Sequence, residues 1–126
     1  MNNTIKLSLP LNPAYVSTIR LTSSSISERM NFNISEVEDI KTAVSETATY
    51  VINTCTSLNC NSFDVTFKME NKTLFVDMLV PTLCADFSES PDNISLMMIK
   101  GCMDEFKINK DTINNFTNIS LVKMKG

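Results

Sequence analysis

Residues 34 to 54 constrain the fold more than any other stretch. Val37, Ile40, Val44, Ala48 and Val51 recur every three or four positions, and Cys55 continues the series. Such spacing lines one face of an α-helix. Ala43, Thr47 and Ile52 broaden that face, and neither glycine nor proline interrupts the run. Ser35 with Glu38 three residues on has the form of a capping box, which places the helix start here. An apolar stripe this wide has to be covered, so the helix is expected to pack on a sheet. Glu46 lies among small and apolar residues, between Val44 and Ala48. It reads either as an exposed helix glutamate or as a carboxylate at the mouth of a cavity.

The remaining chain alternates between strand and helix patterns. From Thr4 to Leu9, Ile5, Leu7 and Leu9 alternate with Lys6 and Ser8, the pattern of a half-buried strand. Pro10 ends it. Asn12 and Pro13 supply an N-cap and a proline at the first helical position, predicting a helix to about Met30. Its inward stripe is expected from Tyr15, Ile19, Thr22, Ile26 and Met30 with Val16 beside it, and its solvent face from Ser17, Arg20, Ser24 and Glu28. Asn59 to Ser62 predicts a turn. A strand follows with Phe63, Val65, Phe67 and Met69 on one face, and Glu70-Asn71-Lys72 connects it to a return strand carrying Leu74, Val76, Met78 and Val80.

Pro81 to Asp92 reads as an irregular link. Asp92 or Asn93 is expected to cap a third helix that turns Ile94, Met97, Met98 and Cys102 inward. Its methionines read as gap-filling core more readily than as an adaptable binding surface. Gly101 suggests close packing of that helix on the sheet. Glu105 to Asn109 and Phe116 to Met124 read as a final hairpin. The predicted architecture is a two-layer α+β sandwich: a mixed, mainly antiparallel sheet with helices on one face, in one domain over residues 1–126.

Composition narrows the function classes. A net charge of −3 argues against a nucleic-acid partner. No apolar run is long enough to span a bilayer, so no membrane partner is expected. The amino terminus lacks the charged region and apolar run of an export signal, so the expected location is the cytoplasm. There Cys55, Cys60, Cys84 and Cys102 remain thiols. Their spacing is not that of paired CxxC ligands, and the chain has no histidine, so no metal site is expected. Only two glycines occur, Gly101 and Gly126. That removes any phosphate-cradling loop that depends on close backbone approach through glycine.

Several of these segments also resemble a known family. Ala14-Tyr15-Val16, Ile19-Arg20-Leu21-Thr22, Arg29-Met30 and the run from Glu36 to Glu46 are similar to the N-terminal half of the bacterial anti-sigma-factor serine kinases. These are the partner-switching regulators of stress response and sporulation. Met103-Asp104-Glu105-Phe106-Lys107-Ile108 resembles, less specifically, the segment after their third helix. The resemblance implies the histidine-kinase-like ATPase fold shared with gyrase, the DNA-mismatch-repair ATPase and sensor histidine kinases.

It also implies an ATP site in three parts. The first is a helical glutamate, the base or orienting carboxylate, followed four residues later by an asparagine that ligates magnesium. Glu46 matches the glutamate, but Tyr50 stands at the asparagine position. A neutral phenol is a poor magnesium ligand, and its ring occupies the space of ion and phosphates. Asn53 lies near Glu46 in azimuth but roughly 4.5 Å beyond the required place along the axis. The second part is an Asp-x-Gly-x-Gly-like loop that reads adenine. Val80-Pro81-Thr82-Leu83-Cys84-Ala85 offers neither an aspartate in register nor a glycine. The third is a glycine-rich lid ending at a helix N-terminus. Asp92-Asn93-Ile94-Ser95-Leu96 stands there without glycine, after a short link.

The resemblance therefore implies a degenerate, shortened member: a regulatory protein-binding module without kinase activity or cofactor. Its implied partners are a sigma factor or an anti-anti-sigma protein, with a homodimer as a possible assembly. Arg20 matches the arginine with which the family grips those partners; taken alone, it reads equally as a solvated arginine. Two alternatives stay open. One is a divergent serine kinase using Glu46 with ATP and magnesium. The other is a scaffold that binds a different small molecule in a pocket lined by Tyr50, Phe87, Met97 and Met98.

Overall fold

The computed structural model describes residues 2–55, 60–83 and 94–126. Strand β1 (Asn2–Pro10) leads through a 3-10 turn (Pro13–Tyr15) into helices α1 (Val16–Arg29) and α2 (Ile34–Cys55). Strands β2 (Ser62–Glu70) and β3 (Thr73–Val80), helix α3 (Ile94–Cys102) and strands β4 (Glu105–Asp111) and β5 (Phe116–Met124) follow. The strands form one sheet in the order β1-β2-β3-β5-β4. The α+β sandwich is the expected one. The sheet is antiparallel at every pairing rather than mixed.

One face of that sheet is apolar. Phe63, Val65, Phe67 and Met69 of β2, Leu74, Val76, Met78 and Val80 of β3, and Ile119 and Leu121 of β5 are buried. They share one cluster with Val37, Ile40, Ala43, Val44, Ala48, Val51 and Ile52 of α2. The strand alternation and the α2 stripe are thus two sides of the same core.

The start of α2 differs from expectation. Asn33 caps the helix, not Ser35. Its Oδ1 accepts from the Glu36 amide at 2.8 Å, and Glu36 Oε1 accepts from the Asn33 amide at 2.9 Å. The reciprocal box sits two residues early because the first helical residue is Ile34, so the orphaned amides begin there. Ser35 and Glu38 lie inside the helix, where Glu38 pairs with Lys41 at 3.1 Å. The other Glu36 oxygen accepts from the Gly126 amide at 2.8 Å, joining the start of α2 to the chain beyond β5.

Tight reversals are made by asparagine. Asn31, Asn71 and Asn115 have φ of 63°, 53° and 57°. They lie after α1, between β2 and β3, and before β5. After glycine, asparagine is the residue that best tolerates this left-handed region. The β2–β3 hairpin therefore needs no glycine.

The inner face of α1 also needs correction. Ile19 and Ile26 are buried as expected, but Ser23 and Ser27 are buried with them. Each donates its hydroxyl to its own helix, Ser23 to the Ile19 carbonyl at 2.8 Å and Ser27 to the Ser23 carbonyl at 2.7 Å. Self-satisfied small hydroxyls can line a helix interface without an unpaired polar atom. Tyr15 is exposed because it belongs to the 3-10 turn and does not share the α1 azimuth. Thr22 and Met30 are only half-buried.

Helix α3 turns the opposite way from the sequence expectation. Leu96 and Ile99 are buried, with Met103 just beyond the helix, while Ile94, Met97 and Met98 are exposed. Cys102 is half-buried. Both faces of this helix are apolar, so periodicity could not choose between them. The two methionines are surface residues, not gap-fillers. Gly101 does not press on the sheet: a Cβ built there meets no atom within 4 Å. It stands one residue before the end of α3, where a glycine costs less than it would in a helix interior. The expected cap at Asp92 or Asn93, the Asn59 end of the turn, and most of the Pro81–Asp92 link lie outside the described residues.

Glu36 links this fold to pH. The Gly126 amide first, then the Asn33 amide, with Lys123 and Lys125 nearby, hold its carboxyl below the usual value. A depressed carboxylate adds stability that is fully present above its unfolded-state pKa and is lost as pH falls through the folded-state pKa. Glu36→Gln is expected to reduce the loss of stability on going from about pH 7 to about pH 4. Asn33→Ala is expected to cost about 1 kcal/mol at neutral pH. Urea unfolding of the three proteins at both pH values measures both effects.

Candidate functional site

The uninterrupted course of α2 places Asp39, Glu46, Tyr50 and Asn53 along one line, at steps of seven, four and three residues. Burial differs along it. Glu46 is half-buried, Tyr50 is half-buried and packs against the core, and Asn53 is exposed. Thr47, beside Glu46, is fully buried and donates its hydroxyl to the Ala43 carbonyl at 2.8 Å. The phenol at position 50 is thus part of the packing that fixes the helix.

At the other end of the line Asp39 meets Lys123 and Cys102, a contact that sequence reasoning missed. Lys123 of β5 donates its ammonium to the Cys102 carbonyl at 2.6 Å and lies 3.4 Å from Asp39 Oδ2. The Lys123 side chain is only 12% exposed, so its charge depends on these partners. Burial pushes the Cys102 thiol up, and the Asp39 carboxylate pushes it further, so the thiol stays protonated at neutral pH. Asp39 and Lys123 are 84 residues apart, a pairing no local spacing could reveal. The cluster ties α2, α3 and β5 together.

A second group of candidates lies on α1. Arg20 is exposed and shares a helix row with Ser24 and Glu28 at steps of four. Ser24 and Glu28 border an open hollow of about 150 Å³ between α1 and α2, lined also by Phe32, Ile34, Val37, Glu38 and Lys41. Leu21, next to Arg20, is 69% exposed. The sequence candidates therefore fall into two groups on two helices. Arg20 stands on the outer row of α1, and Glu46, Tyr50 and Asn53 stand on the line of α2.

The pocket imagined from Tyr50, Phe87, Met97 and Met98 is not assembled among the described residues. Met97 and Met98 point to solvent, and Phe87 lies outside the described residues. Neither Cys60 nor Cys102 is in a disulfide. Among the described residues no cluster of three or more His, Cys, Asp or Glu could hold a metal ion. No described helix is long and apolar enough to cross a membrane.

Known proteins share part of this chain. It is 43% identical over 49 residues to the serine-protein kinase RsbW of Oceanobacillus iheyensis, covering 39% of this chain and 31% of that protein. It is 44% identical over 48 residues to RsbW of Bacillus subtilis, covering 38% and 30%. It is 34% identical over 64 residues to RsbW of Bacillus licheniformis, covering 51% and 40%. The matches thus span only 30% to 40% of the length of these relatives. No family model matches the chain. The crystal structure of the RsbU and RsbW domains of a Mycobacterium tuberculosis protein aligns with a TM-score of 0.75, over 98% of this chain and 32% of that one. At 12% identity that likeness shows the fold alone. The resemblance to the anti-sigma-factor serine kinases and the expected fold class are both borne out.

The Asp39–Lys123 pair gives a direct test of the α2–α3–β5 tie. Lys123→Ala is expected to lower the unfolding free energy by about 2 kcal/mol, because a mostly buried charge-assisted bond is lost. Asp39→Asn is expected to cost less, since the bond to the Cys102 carbonyl survives. A double-mutant cycle by chemical denaturation reads the coupling between them.

Proposed function

We propose that this chain is a regulatory protein-binding module of the anti-sigma type that does not transfer phosphate. Its similarity to RsbW proteins supports the regulatory role. The observation that carries the loss of catalysis is Tyr50, half-buried and packed on the core one turn from Glu46. A magnesium–nucleotide site needs several oxygen donors in near-octahedral geometry. Around position 50 the α2 line supplies one carboxylate, Glu46, with a packed phenol and an exposed amide a turn too far along. This donor set does not fit the ion.

Partner binding falls to α1 on this reading. Arg20 and Leu21 present a planar cation and an apolar side chain side by side in solvent, next to the α1–α2 hollow. An arginine beside an apolar contact is a common energetic centre of protein interfaces. The partner is a sigma factor or an anti-anti-sigma protein, met in the cytoplasm. A second reading keeps a divergent serine kinase, favoured by the half-buried place of Glu46 on α2.

Two measurements separate these readings. Calorimetry with magnesium and ATP is expected to show no binding in the micromolar range, and binding there overturns the inactive reading. Transfer of labelled phosphate to a partner, abolished by Glu46→Gln, establishes the kinase instead. Capture of a sigma factor or anti-anti-sigma protein from the source cell is expected with the wild-type chain. Arg20→Ala is expected to weaken it roughly 30-fold, as for an interface hot spot.

A further inference from the structure

The hollow between α1 and α2 combines an apolar lining with acidic groups. Phe32 and Val37 line it and are buried, and Ile34 stands beside them in solvent. Glu28 of α1 and Glu38 of α2 line it too. Glu38 is engaged through one oxygen, 3.1 Å from the Lys41 ammonium. Among the described residues Glu28 has no ion pair. It also sits in the last turn of α1, the end at which a helix disfavours an anion. A pocket for a cofactor or metabolite starts near roughly 300 Å³. At about 150 Å³ this space is too small for one and has room for a single long side chain.

We propose that this hollow seats one basic side chain, a lysine or arginine, of the protein partner that Arg20 engages. The inference deepens the regulatory reading and rests on it. Charge complementarity identifies the occupant. A purely apolar side chain would cover Phe32 and Val37 but take water from the Glu28 carboxylate without giving it a partner, which costs binding. An acidic side chain is repelled by both glutamates. A lysine or arginine satisfies the whole site, because its aliphatic stem covers the apolar lining while its cation meets the carboxylates. Arg20 and Glu28 belong to one row of α1, eight residues apart, which is roughly 12 Å along the axis. That row is positive at one end and negative at the other. It selects a partner segment whose acidic and basic side chains are spaced to match. Arg20 alone would accept any acidic surface, and the hollow adds the second condition that separates one partner from another.

Calorimetry of the full chain with the purified sigma factor or anti-anti-sigma protein that it captures tests the assignment. Glu28→Gln is expected to weaken binding roughly fivefold and Glu28→Lys at least about 30-fold. Ser24→Phe, which fills the hollow, is expected to weaken it at least about tenfold. Position 28 is exposed and position 24 half-buried, so circular dichroism should show an unchanged fold. In the partner, each lysine and arginine is changed to glutamate in turn. One such reversal is expected to restore binding to Glu28→Lys while leaving Arg20→Ala unrescued. Binding indifferent to Glu28→Lys overturns the inference, and so does a loss that no reversal restores. If Arg20→Ala still weakens the complex in those cases, the regulatory reading stands without the hollow. A wild-type chain that binds neither protein overturns both.

Discussion

Burial of one face of α2 against the sheet is the interaction on which the other elements depend. Ile40, Ala43, Val44, Ala48 and Val51 are completely withdrawn from solvent, as are Val65, Phe67, Leu74, Val76, Met78, Ile119 and Leu121. Each large aliphatic or aromatic side chain so buried contributes about 1.5–3 kcal/mol. An exposed ion pair such as Lys6–Asp64 contributes at most about 1 kcal/mol. The layer contact therefore dominates, and α1 and α3 settle beside the helix that makes it. The first uses Ile19, Ile26 and two self-bonded serines, and the second uses Leu96 and Ile99.

Apolar burial has no direction, and two polar ties supply it. The Asn33–Glu36 box reaches Gly126, and the Asp39–Lys123 pair reaches the Cys102 carbonyl. Both connect the first turns of α2 to the chain at or just after β5. Hydrogen bonds of this kind require particular distances, so they select one placement of helix on sheet among those that apolar contact alone would permit. The same contacts explain why the Glu36 carboxyl is held low and the Cys102 thiol is pushed up.

The proposed loss of phosphate transfer has a simple physical counterpart. At position 50 a short amide would leave room for an ion, whereas the aromatic ring joins the packing around α2. A chain relieved of nucleotide has no need of glycine loops that approach phosphates closely, and left-handed turns can then be made by Asn31, Asn71 and Asn115. On this view α2 remains a scaffold while partner contact falls to Arg20 on α1, outside the core.

Local pattern alone settled the elements and their order. The α2 stripe, the alternation in β2 and β3 and the final hairpin each repeat a burial requirement at a fixed period, and that requirement is written residue by residue. The Glu46–Tyr50–Asn53 line was readable for the same reason, since one uninterrupted helix fixes their relative azimuth. Tertiary structure decided what periodicity left degenerate. Ile94, Met97 and Met98 compete with Leu96, Ile99 and Met103 for the core as equally apolar stripes, and only docking against α2 chose the second. Ser23 and Ser27 count as polar until a neighbouring helix buries them with their hydroxyls already bonded. Asn33 and Ser35 both offer a cap, and the left-handed turn at Asn31 settled which amides were left open. Asp39 and Lys123 met only because the fold brought distant segments together, and no period in a sequence encodes a contact of that range.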